Sequence, residues 1–171
     1  MGLGVLGEAC AKSLQEIGFQ VSSWSRRKKN LPGVNNYAGA DTLDDFLAAC
    51  NILVCLMPLT PLTQGIIDSR VINVLPKGAC LINGARGGLV VEADLIEALQ
   101  SGHLSHAVLD VTRQEPLPAG DPLWRAPNIT ITPHVASITD AMSGALLVSK
   151  NICRVRTGEA LHHLVDPKAG Y

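Results

Sequence analysis

Short apolar runs, each cut off by glycine, proline or a polar residue, alternate with stretches of helical spacing along most of the chain. The runs at 19–24, 51–57, 79–82, 106–111 and 129–132 read as strands. The stretches at 8–17, 42–50, 69–75, 92–100 and 139–156 read as helices. Strands that are short and nearly continuously apolar suit a parallel sheet covered on both faces, and the intervening helices are the crossovers such a sheet needs. The pattern predicts an α/β fold, a Rossmann-like doubly wound parallel sheet. Ligands of such sheets bind outside the carboxyl ends of the strands.

The glycines say where the nucleotide half begins. Gly2-Leu-Gly4-Val-Leu-Gly7 is a GxGxxG feeding a helix, half of a dinucleotide fingerprint. The turn lets backbone approach a pyrophosphate, and the helix amino terminus adds amide donors and a positive dipole end. The strand that should precede the turn is absent from a sequence that opens at Met1, so the sheet is expected to lack its first, central strand. Two neighbouring strands would then lose their partner, and each backbone group left buried and dry costs on the order of 1–3 kcal/mol.

After the second strand an NAD site wants an acid for the ribose hydroxyls. The chain instead gives Ser25-Arg26-Arg27-Lys28-Lys29, with no carboxylate between Glu16 and Asp41. A hydroxyl and guanidinium groups suit a 2′-phosphate, so NADPH is expected over NADH; a solvated basic loop is the plain alternative. Pro58-Leu-Thr-Pro-Leu-Thr63 is a stiff rim loop that either touches the cofactor or merely connects. Thr42-Leu-Asp-Asp45 reads as a capping box, and Thr139 as the cap of the last helix.

Three polar residues stand at strand ends or in long loops: Arg86, in Asn83-Gly-Ala-Arg86-Gly87; Glu115, in the proline-rich stretch 112–128; and His134, after the last strand. A guanidinium grips a carboxylate with two parallel hydrogen bonds. A carboxylate beside a histidine favours the protonated imidazole, a loaded acid near neutrality. A long irregular loop inside a compact domain is usually functional. Taken singly, a helix cap, a solvated glutamate and a core histidine are adequate readings. As a set the three are expected to share one pocket.

Size and charge bound the alternatives. The 171 residues suit one domain of ordinary size; 47% are hydrophobic and 17% charged, and the net charge of −1 gives no electrostatic reason to expect nucleic acid or an anionic membrane. The five cysteines show no metal-type spacing and leave one unpaired, so reduced, mostly buried thiols in a cytoplasmic protein are expected, with no metal site. No apolar run spans a bilayer. His162-His163 lacks further ligand spacing.

The ordered set Gly2-x-Gly4-x-x-Gly7, Pro58 to Thr63, Asn83-Gly-Ala-Arg86-Gly87, Leu109-Asp110-Val111, Glu115-Pro-Leu-Pro118 and Thr132-Pro-His134-Val-Ala resembles the D-isomer-specific 2-hydroxyacid dehydrogenases. The basic loop and the ending Val165-Asp-Pro-Lys-Ala-Gly-Tyr171 are most similar to the NADPH-dependent glyoxylate/hydroxypyruvate reductase branch. The resemblance implies that Arg86 binds the carboxylate of a 2-oxo acid and polarises its carbonyl. His134 would protonate the carbonyl oxygen, Glu115 would orient the imidazole, and Asp110 would accept from the nicotinamide carboxamide. Gly4, Val5, Leu6, Ser25, Arg26, Arg27, Pro58, Thr63 and Ala85 would complete the cofactor site. Residues 1–157 are expected to form the dinucleotide-binding domain. Residues 158–171 would be a tail that packs on a substrate domain lying elsewhere.

The sequence is therefore expected to be a fragment, or the product of a misplaced start, and a poor enzyme alone. Pairing of two copies near Trp124 is expected, as in relatives. Competing readings are another member of the superfamily, of D-lactate or phosphoglycerate type, and a sensor or scaffold that binds NAD(P) without chemistry.

Overall fold

A computed structural model describes residues 1–166. It divides into one unit over Met1–His134 and a second from Val135 onward.

The first unit is built from parallel strands. β1 (Ser22–Ser25) pairs with β2 (Asn35–Ala38). β3 (Ile52–Cys55), β4 (Ala79–Asn83), β5 (Leu104–Leu109) and β6 (Ile129–Ile131) form a second group in that spatial order, every pair parallel. Helices α1 (Val5–Glu16), α2 (Leu43–Ala48), α3 (Ser69–Val74) and α4 (Glu92–Gln100) are the crossovers. α2, α3 and α4 lie side by side, α2 also against β1 and β2 and α4 against β5. This is the expected Rossmann-like parallel sheet flanked by helices.

Among the described residues no strand lies between β1 and β3. The main-chain hydrogen bonds found between them there come from Met1 and Gly2: the Gly2 amide donates to Trp24 O at 2.9 Å, the Leu56 amide to Met1 O at 2.9 Å, and the Met1 ammonium to Val54 O at 2.6 Å. The rest of the interval is a groove of about 650 Å³ whose walls include Val21, Ser22, Ile52, Val54 and Leu56. The expectation that 51–57 is buried throughout fails here: Ile52 is 48% exposed, because its edge of β3 faces this groove rather than a neighbouring strand.

The core sits under the larger group. Leu53, Leu81, Leu104 and Leu109 from the strands meet Phe46, Leu47, Ile72, Leu89 and Leu95, all at 1% exposure or less. Each such side chain contributes roughly 1.5–3 kcal/mol by leaving water. A separate small cluster of Leu3, Ala11 and Val34 fixes α1 near β2. Gly7 belongs to that junction, since a Cβ there would lie 2.1 Å from Gly2 O. Only glycine lets the helix begin so close to the turn.

Two expected caps are displaced. Thr42 makes no capping bond; its hydroxyl turns back to donate to Ala38 O at 3.0 Å, because residues Ala40–Thr42 already form a 3₁₀ turn ahead of α2. α3 is capped by Asp68, whose Oδ1 accepts from the Val71 amide at 2.9 Å. In the second unit α5 (Ala141–Thr157) is capped by Asp140 rather than Thr139, with Oδ2 accepting from the Ser143 amide at 2.7 Å. Met142, Leu146, Ile152 and Val155 of α5 are all exposed. The five cysteines are free, and two rather than most of them are buried: Cys50 and Cys55 buried, Cys10 and Cys80 half-buried, Cys153 exposed on α5. Residues 167–171, which include most of the ending quoted above, lie outside the described residues.

Candidate active site

The carboxyl ends of β4, β5 and β6 carry the polar side chains that the sequence singles out. β4 ends in Asn83, which is 1% exposed and serves as a bracket: Oδ1 accepts from the Ala85 amide at 3.1 Å and Nδ2 donates to Arg86 O at 3.0 Å. An Asn closing a turn on its own backbone is the expected use of that side chain. The loop it fixes buries Ala85 and presents Arg86 to solvent, with Nη1 on Ala85 O at 2.6 Å. Gly87 then passes under the next strand end, where a Cβ would stand 2.0 Å from the Thr112 carbonyl carbon. A side chain at that position would push the arginine loop off the rim.

β5 delivers Asp110, and β6 delivers Thr132 and His134. Asp110 is 6% exposed and its Oδ1 accepts from the Thr132 hydroxyl at 2.5 Å. The Asp110 carbonyl accepts from the His134 amide at 2.9 Å, so the two strand ends are tied together twice. His134 takes a left-handed backbone, φ 56°, an uncommon conformation for a side chain other than glycine. Such conformations persist only where surrounding bonds impose them, and they cluster at functional sites.

The loop after β5 folds Glu115 back onto this rim. Its Oε1 accepts from the Thr112 amide at 3.1 Å and its Oε2 lies 2.8 Å from His134 Nδ1. The bond to His134 is the largest cause holding the Glu115 carboxyl below the usual carboxylate range, with burial, the next largest, opposing it. The Thr112 amide and the charges of His134 and Arg86 add to the lowering. Asp110, Thr112, Glu115, Leu117, Trp124, Thr132 and His134 line a cavity of about 610 Å³. Of the three residues expected to share a pocket, Glu115 and His134 are in direct contact and line this cavity, whereas Arg86 does not line it and touches Glu115 only through its charge.

The other residues expected at the cofactor open α1 or follow the carboxyl ends of β1 and β3. Gly4 is the N-cap of α1 in an extended conformation, and Val5 and Leu6 are exposed in its first turn. At the end of β1, the Ser25 hydroxyl donates to Arg27 O at 2.8 Å and so closes the basic loop; Arg26 and Arg27 are exposed. After β3, the Thr63 hydroxyl donates to Pro58 O at 2.8 Å and accepts from the Thr60 amide at 2.8 Å, knitting the proline loop to itself. Asn83, Thr112 and Thr132 join the rim from outside the set of expected site residues. Asn83 carried a readable signal, an Asn at a strand end followed by glycine; the other two act through contacts that only the fold creates.

Residues 1–136 match the family model described as D-isomer specific 2-hydroxyacid dehydrogenase, NAD binding domain, and the chain belongs to that family. Among solved structures it is 47% identical to a D-isomer specific 2-hydroxyacid dehydrogenase from Xanthobacter autotrophicus Py2 in complex with NADPH and MES, with TM-score 0.96 over 99% of this chain and 70% of that one. It is 49% identical to a family protein from Klebsiella pneumoniae 342, with TM-score 0.91 over 97% of this chain and 53% of that one. It is 43% identical to the NADPH-dependent glyoxylate/hydroxypyruvate reductase of Sinorhizobium meliloti in complex with NADP and sulfate, with TM-score 0.95 over 100% of this chain and 55% of that one. The chain thus spans little more than half the length of the last two. Among the described residues no helix is long and apolar enough to cross a membrane.

Proposed function

We propose that this chain is the cofactor-binding part of an oxidoreductase that reduces a small 2-oxo acid, glyoxylate or hydroxypyruvate, to the 2-hydroxy acid with NADPH. The observation that carries the reading is the Glu115–His134 contact of 2.8 Å on the strand-end rim. With Nδ1 engaged by the carboxylate, Nε2 is the ring nitrogen left to face substrate. His134 then donates a proton from Nε2 to the substrate carbonyl oxygen, and Glu115 keeps the ring oriented through its 2.8 Å contact with Nδ1. Arg86 holds the substrate carboxylate by its planar fork, and its charge draws electron density toward the carbonyl oxygen. Asp110, fixed by Thr132, would receive the carboxamide of the nicotinamide.

The residues present fit a phosphorylated dinucleotide. The Gly7 junction leaves no room for a side chain between turn and helix, as close backbone approach requires, and the loop closed by Ser25 offers Arg26 and Arg27. The structures from Xanthobacter and Sinorhizobium hold NADPH and NADP respectively. When bound, NADPH supplies the hydride. The same reading extends to a homodimer formed around Trp124, whose ring is exposed while its Nε1 donates to Pro118 O at 2.8 Å, and to a cytoplasmic setting that keeps the five thiols reduced.

The test is loss of NADPH absorbance with glyoxylate or hydroxypyruvate in excess, for the chain and for His134→Ala. Turnover is expected to be slow, because the chain spans little more than half of two of its solved relatives, and to fall by about 10²–10⁴ in the variant. Turnover that survives the substitution would remove His134 from the chemistry. Light scattering coupled to size exclusion reads the dimer.

A further inference from the structure

The reading above leaves one charged pair of the nucleotide half unused. Lys29, the last of the basic run, folds back from its loop onto the glycine turn. Its Nζ donates to the carbonyl of Leu3, the residue between Gly2 and Gly4, and to Glu8 Oε1 at 3.0 Å. Glu8 lies in the first turn of α1. Both side chains are about two-fifths exposed, 41% and 40%, so the pair is solvated and exchangeable.

Glu8 is badly placed for a site that takes an anion. The first turn of a helix leading from a glycine turn is where a bound phosphate meets amide donors and the positive dipole end. A carboxylate there satisfies the same field. It also occupies a cation of the loop Ser25–Lys29 that is otherwise suited to a 2′-phosphate. The next carboxylates along the chain are Glu16, at the far end of α1, and Asp41, so no other acid of this part of the sequence shares the task.

We infer that Glu8 is a built-in competitor of the cofactor's 2′-phosphate: it holds Lys29 across the glycine turn in the free protein, and Lys29 exchanges the carboxylate for the phosphate when NADP(H) binds. This rests on the cofactor reading above. It adds that two residues outside the expected set determine how tightly the phosphorylated dinucleotide is held, and that one of them works against it. The exchange costs little, because an exposed ion pair is weak in water. An ammonium–phosphate contact reinforced by the two neighbouring guanidinium groups outweighs it.

NADPH and NADH are titrated by fluorescence against the chain, Glu8→Gln, Lys29→Met and the double variant. Both sites are on the surface, and thermal melts verify that each variant folds. Glu8→Gln is expected to tighten NADPH by about three- to tenfold while moving NADH by less than about twofold. Lys29→Met is expected to weaken NADPH by a similar factor and to cancel the gain from Glu8→Gln in the double variant. The inference is overturned if Glu8→Gln leaves NADPH affinity unchanged, or if it tightens both dinucleotides equally. If the chain prefers NADPH and the Glu8 variant is inert, this inference alone fails. If the unaltered chain shows no preference for NADPH, the cofactor reading fails and this inference with it.

Discussion

The two strand groups that meet at Met1 and Gly2 hold their polar side chains in opposite ways. In the group β3–β6 the site is built from the inside. Asn83 and Asp110 are nearly fully buried, and each fixes a neighbour, the arginine loop in one case and Thr132 in the other. In the pair β1–β2 the interesting side chains stand in a loop beyond the strands: Arg26, Arg27 and Lys29 are exposed, and the one hydroxyl that shapes the loop, Ser25, bonds to its backbone. Geometry governs the first group, where the proposed chemistry would need fixed distances. Charge governs the second, where a phosphate needs only to be attracted and held.

The same contrast extends to packing, and it can be broken by substitution. Leu81 of β4 is fully buried in the large core, whereas Val34 belongs to a cluster of three buried residues. Leu81→Ala is expected to cost about 2–5 kcal/mol, since surrounding strands and helices cannot collapse into the space. Val34→Ala should cost about 1–2 kcal/mol, close to the transfer cost of the lost methyl groups alone. Urea unfolding measures both. Hydrogen exchange sharpens the comparison, because the amides of β1 and β2 should exchange well before those of β4 and β5 through local opening along the groove. Equal costs and uniform protection would mean that the two groups unfold as one and that Met1 and Gly2 bind them more firmly than three hydrogen bonds suggest.

A smaller effect separates the groups by ligand. Arg26→Ala and Arg27→Ala should each weaken NADPH by about ten- to a hundredfold, the range of one charge-assisted hydrogen bond, and leave NADH within about threefold. Any reduction of a 2-oxo acid, as proposed above, should persist with NADH as donor. Parallel losses with both dinucleotides would show that the basic loop supports the fold of β1–β2 rather than selecting the cofactor.

Much of this architecture is legible in the sequence, and the reasons differ by region. β4 and α4 are readable because Ala79 to Ile82 is apolar without interruption and Leu95, Ile96 and Leu99 recur at helical spacing. β2 is not readable. Asn35, Asn36 and Tyr37 have neither alternation nor an apolar run, and the strand exists because β1 pairs with it and the Ser23 hydroxyl donates to Asn36 Oδ1 at 2.9 Å. The caps show the same limit. Thr42 and Thr139 carry the right chemistry, but the neighbouring backbone gives the bond to another acceptor in one case and another residue takes the capping position in the other. In the site, Arg86, Glu115 and His134 are visible as charged residues where strands end. Lys29 crossing to Glu8 is not visible, since nothing in a run of four basic residues tells which of them turns back.

The smallest effect concerns the Glu115–His134 pair itself. The Glu115 carboxyl is held below its ordinary range chiefly by the bond from His134 Nδ1. A carboxylate whose folded-state pKa is depressed adds stability that is fully present above its unfolded value and fades as the pH drops through the lowered one. Melting temperature should therefore decline as the pH falls below the ordinary carboxylate range, partly through this pair. In His134→Ala the carboxyl should titrate nearer its ordinary value by carbon NMR, and the variant's melting curve should be flatter there. The shift must be modest, because the pair is exposed to water and competes with it. A Glu115 titration unmoved by the substitution would assign its depression to the Thr112 amide and the Arg86 charge. The carboxylate would then be part of the arginine side of the rim rather than the orienting partner of the histidine.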